Sequence, residues 1–144
     1  MVEVPAPKRT VLVVLLTEEN RAALGTIFAG SPWTMLSAGT LAEARQALNS
    51  PIGVVISENR FPDGQCWKDL LCLLQRMSNP PPLIVADRLA DERLWAEALN
   101  LGAYDVLAEP FDGGEVRRVV ESAWGHMRNV ASLGCRQRHA AAGA

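Results

Sequence analysis

Five times along this chain a short aliphatic run gives way to a segment with helical spacing, and this alternation constrains the fold more than any single residue. Val11–Leu16 (VLVVLL) is apolar without interruption, as a strand covered on both faces must be. Thr17 then caps a helix with Glu18 and Glu19 in its first turn and Leu24, Ile27 and Phe28 along one stripe. Trp33–Ala38 is a weaker strand, and Thr40 with Glu43 has the capping-box pattern ahead of Leu41, Ala44 and Leu48. Gly53–Ser57 is a third strand, followed by the turn residues Phe61, Pro62, Asp63 and Gly64 and by Trp67, Leu70, Leu71, Leu74 and Met77 at helical spacing. The prolines at 80–82 end that helix before a fourth strand, Leu83–Asp87. Asp91 opens a helix that Gly102 closes, Tyr104–Ala108 is a fifth strand, and Asp112 with Glu115 opens a last helix carrying Val116, Val119, Val120, Ala123 and Met127. Strands alternating with helices predict a parallel sheet covered on both faces. Ligands of such sheets sit beyond the carboxyl ends of the strands. Here those ends are Leu15–Glu18, Ser57–Arg60, Asp87–Leu89 and Ala108–Phe111.

The chain's 144 residues are enough for one core and short for two. The expected layout is an extension over 1–8, one domain over 9–128 and a flexible tail over 129–144. A net charge of -2 gives no general attraction to nucleic acid or to an anionic membrane. The longest aliphatic run is too short to span a bilayer, and the opening MVEVPAPKRT lacks a secretory pattern, so a cytoplasmic location is expected. Cys66, Cys72 and Cys135 have no metal-type spacing and read as reduced thiols. His126 and His139 have no nucleophile or carboxylate at suggestive spacing, and no Gly-rich phosphate loop follows the first strand. These features speak against a hydrolase or a nucleotide-binding protein.

Four segments in order resemble the response-regulator receiver family of bacterial two-component (phosphorelay) signalling. They are VLVV with Arg21 and Leu24 behind Thr17, then GVVISENRFPDG, PLIVAD and ALNLGAYDVLAEPF, in which Gly102, Ala103, Pro110 and Phe111 stand as the family has them. The resemblance covers roughly residues 9 to 128. It implies a three-layer, doubly wound (βα)5 fold of the flavodoxin-like kind, with a five-stranded parallel sheet in the order 2-1-3-4-5. It also implies a cis peptide before Pro110 and a dimer or partner face on the fourth helix, fifth strand and fifth helix.

The family's chemistry moves a phosphoryl group from a histidine kinase to an aspartate, with Mg²⁺ held by oxygen ligands. The acidic-pair positions fall here on Leu15 and Leu16. Using Glu18 and Glu19 instead would misplace Arg21 and Leu24. The acceptor position, four before Pro62, is Glu58; the Thr/Ser position is Asp87, followed by Arg88 where a small residue is usual; the Lys position is Glu109; the aromatic switch position is Val106. A phosphoryl group brings nearly two negative charges. A unit charge ~4 Å away is worth about 4 kcal/mol at an effective dielectric near 20, so Asp87 and Glu109 would repel it strongly. The expectation is therefore a degenerate pseudo-receiver, not an enzyme, without a cofactor or resident metal, that signals through protein–protein contacts.

Several readings of these residues stay open at this stage. Glu58 can stand in permanently for a phosphorylated aspartate, or be an ordinary carboxylate. Glu58, Asp87 and Glu109 can converge on a cation, making a ligand-binding or enzymatic flavodoxin-like domain, or splay apart, or be neutralised by Arg60 or Arg88. Trp67 fits a core stripe, while Trp95 and Leu99 lie one step off the inner stripe of their helix and, with Val106 and Trp124, are candidates for an interface with a partner or a second copy. No helix-turn-helix or other output domain is recognisable after Asn129, so the effector is expected to be another chain or to lie beyond this one.

Overall fold

The computed structural model describes residues 9–14, 17–62 and 64–126. Leu15, Leu16 and the stretches 1–8 and 127–144 lie outside the described residues, so the expectations for the acidic-pair positions, the extension, the tail, Cys135 and His139 fall outside them too.

The strands are β1 (Thr10–Val14), β2 (Thr34–Ala38), β3 (Val54–Glu58), β4 (Leu83–Asp87) and β5 (Asp105–Ala108). The helices are α1 (Glu18–Phe28), α2 (Leu41–Ala47), α3 (Trp67–Gln75), α4 (Glu92–Leu101) and a last one, α5, helical over 113–126. The sheet is parallel throughout, in the order β2-β1-β3-β4-β5.

Strand alternation divides the core into two layers, because successive side chains leave opposite faces of the sheet. Leu12, Val14, Val55, Leu83, Val85 and Val106 pack with α2, α3 and α4 around the almost fully buried Trp67. Val11, Val13, Val54, Ile56, Ile84, Ala86 and Leu107 pack with Leu24 and Phe28 of α1 and with Val116, Val119, Val120 and Ala123 of α5. The continuous apolar runs of β1, β3 and β4 thus follow from burial on both faces. The edge strand β2 is mostly exposed, which is why its pattern is weaker.

The helix starts follow their caps. Thr17 accepts from Asn20 N at 3.2 Å, Asp91 from Leu94 N at 2.9 Å and Asp112 from Glu115 N at 2.9 Å. Thr40 accepts from Glu43 N, but the Glu43 carboxylate reaches Gly39 N at 2.6 Å instead of completing a box on Thr40. Helix α3 ends at Gln75, two residues earlier than the apolar spacing through Met77 suggests, and Cys66 is its cap residue. Gly102 closes α4 with φ 116°, a left-handed conformation that suits glycine.

At the amino ends of the strands a clasp joins distant parts of the chain. Glu121 of α5 accepts from the Arg9 guanidinium and from Trp33 Nε1 at 2.9 Å. The guanidinium lies 4.4 Å from the Trp124 ring centroid, and Trp33 meets Trp124 edge-on at 6.2 Å.

Candidate functional site

The opposite end of the sheet carries the acidic residues. Glu58 is the last residue of β3, Asp87 the last of β4, and Glu109 follows β5 directly. Parallel pairing aligns these ends: Glu58 is in register with Ala86, and Asp87 with Ala108. Backbone bonds continue the ladder just past the strands, from Asn59 N to Ala86 O at 3.1 Å and from Glu109 N to Asp87 O at 3.1 Å. The fold therefore delivers three carboxyl-bearing residues to one edge by backbone geometry alone. The Glu109–Pro110 peptide is cis.

Two of the three carboxyls meet. Glu58 Oε2 and Glu109 Oε1 are both buried, and neither receives a hydrogen bond. Burial first, and then the adjacent Glu109 carboxyl, push the Glu58 carboxyl up to about 8 from an ordinary 4.5; the Asp87 charge adds to this, and the Asn59 N–H offsets part of it. The charges that act on Glu58 are thus both negative.

Among the described residues no cation answers them. Arg88 and Arg60 are exposed, and the ion pairs formed among the described residues are Arg9–Glu121 and Lys68–Glu97, both elsewhere. Neutralisation by Arg60 or Arg88, one of the readings left open by the sequence, is therefore not found among the described residues. Long arginine side chains at an open rim stay hydrated at little cost, while the carboxyls sit deeper. Nor, among the described residues, does any group of three or more His, Cys, Asp or Glu side chains come together in a way that could hold a metal ion. The set does not fit the Mg²⁺ that the family resemblance implies. Glu58 and Glu109 converge, but Asp87 does not complete a ligand shell.

The residues singled out as an interface separate. Trp95 on α4 is 51% exposed and Leu99 beside it is half-buried. Val106 is 8% exposed, packed in the layer that holds Ala98 beneath α4. Trp124 is half-buried against Trp33 and under Arg9, at the amino end of the sheet. Val106 and Trp124 are thus internal packing and do not form an exposed face with Trp95. Leu89, in the loop after β4, is 80% exposed and was not singled out from the sequence, because a lone leucine between Arg88 and Ala90 carries no periodic signal.

No protein-family model matches the chain. Over 71 residues, 49% of the chain, it is 34% identical to the transcriptional regulatory protein FixJ of Bradyrhizobium diazoefficiens, and this stretch is 34% of that protein's length. The beryllofluoride-activated NtrC4 receiver domain dimer superposes with a TM-score of 0.74 at 22% identity, over 83% of this chain and 98% of that one. The receiver domain of a sensor histidine kinase from Pseudomonas aeruginosa, with a magnesium ion coordinated in its active-site cleft, superposes with a TM-score of 0.71 at 16% identity, over 82% of this chain and 98% of that one.

Proposed function

We propose that this chain, which has the fold of the response-regulator receiver domain and is a homologue of FixJ over half its length, is a pseudo-receiver of a two-component pathway in the bacterial cytoplasm. It works without phosphorylation and acts by binding another protein rather than by catalysis. The observation that carries this reading is the buried meeting of Glu58 with Glu109. At the position where a receiver accepts a phosphoryl group, the neighbouring carboxyl repels anions, and among the described residues no cation offsets it. Leu15 and Leu16 at the acidic-pair positions offer no oxygen ligands, which removes a second requirement.

The output surface in this reading is α4, where Trp95 is exposed with Leu99 half-buried beside it, apolar area that a docking protein would cover. A protein of the same pathway docks there, or a second copy makes a homodimer on the α4–β5–α5 side. The test is incubation with acetyl phosphate and Mg²⁺, followed by intact mass. The expected result is no gain. A gain of one phosphoryl group on residue 58, lost in Glu58→Gln, overturns the reading.

A further inference from the structure

We propose that the pocket binds a proton, shared between the Glu58 and Glu109 carboxyls. This rests on the pseudo-receiver reading and gives the altered pocket a ligand of its own. Ionised carboxylates only accept hydrogen bonds. Glu58 Oε2 and Glu109 Oε1 are both buried acceptors lacking a donor, which is unfavourable for each and more so when it is charged. One proton removes both deficits, because a carboxyl O–H on one side donates to the carboxylate oxygen on the other, as a short, charge-assisted bond.

The surroundings select a proton over a cation. The element ends packed around Glu58 contribute Asp87 from β4 and Glu109 from beyond β5, both negative. Arg60 after β3 and Arg88 after β4 are exposed, and Glu18 and Glu19 at the start of α1 are exposed as well. Among the described residues no positive side chain acts on Glu58 and no third ligand completes a metal site. When the proton leaves to solvent, two like charges face each other in a poorly hydrated space.

The experiment is a pH titration of the intact protein, followed by the ¹³C chemical shifts of its glutamate side-chain carboxyls, with Glu58→Gln used for assignment. Glu58 is expected to titrate near 8 rather than near 4.5. In Glu109→Gln the amide N–H₂ can donate to an ionised Glu58, so the Glu58 midpoint should fall by at least about one unit while the fold persists. An ordinary midpoint for Glu58 in the unmodified protein overturns the proposal. So does a midpoint that collapses on adding millimolar Mg²⁺ or Ca²⁺ and returns with chelator, because the ligand is then a cation. Either result leaves the acetyl phosphate experiment to decide the pseudo-receiver reading by itself.

Discussion

One methylene distinguishes glutamate from aspartate, and at position 58 it extends the carboxyl toward Glu109. The consequence for stability has a definite sign. The folded protein holds the Glu58 proton up to about 8, whereas the unfolded chain releases it near 4.5. Between those values the native state binds more protons than the unfolded state, so stability falls as pH rises across the window and levels off above it. We expect the Tm to drop by roughly 5 °C or more from the acid to the alkaline side of that window. Glu58→Gln should flatten the slope, which differential scanning calorimetry at a series of pH values will measure. A second residue-scale prediction contrasts two glycines. Gly102→Ala must adopt φ 116° with its Cβ 3.4 Å from Gln75 Nε2, and should lose about 1–2 kcal/mol in urea unfolding. Gly125→Ala, inside α5 with nothing within 4 Å of the new methyl, should gain about 0.5–1 kcal/mol.

Among the elements, the helices start where the sequence says they do, because a cap is a local event within three or four residues. Thr17, Thr40, Asp91 and Asp112 could be read directly for that reason. The end of α3 could not, since Met77 keeps the apolar spacing while the last turn tightens at Arg76 ahead of the prolines. The clasp on α5 was illegible for the opposite reason. Arg9 and Glu121 are 112 positions apart, and neither shows a local pattern that names the other. Glu121 serves two donors, one of them on the nearly buried Trp33. Glu121→Ala should therefore cost about 1–3 kcal/mol, more than an exposed ion pair would, because Trp33 Nε1 is left without an acceptor. Urea unfolding followed by tryptophan fluorescence will show it, and Lys68→Ala on the exposed Lys68–Glu97 pair is the control, expected to change stability by less than about 1 kcal/mol.

For the whole molecule, the fold was readable because both faces of the sheet are covered, so the buried stretches Val11–Val14, Val54–Ile56 and Leu83–Ala86 are aliphatic and the order β2-β1-β3-β4-β5 was accessible by resemblance. The site positions were readable by counting from Pro62 and Pro110. What the sequence could not supply was which carboxyl meets which, since that depends on how side chains leave three different strand ends. The proposed loss of the phosphorylation pocket can be tested as a unit. Leu15→Asp, Leu16→Asp, Glu58→Asp, Asp87→Thr and Glu109→Lys together should restore Mg²⁺-dependent modification by acetyl phosphate, read by intact mass. A folded variant that stays inert would show that the surrounding loops block the pocket, with Arg88 the first to replace. The clasp at the other end of the sheet bears on how the chain is made. Its parts lie before β1, before β2 and on α5, so during synthesis the indole of Trp33 lacks its Glu121 acceptor until α5 has emerged. A contact of such long sequence separation closes after local structure has formed. Emission from Trp33 then reports the closing of the clasp: until α5 packs, neither its indole N–H nor the Arg9 guanidinium has the Glu121 carboxylate it meets in the folded chain.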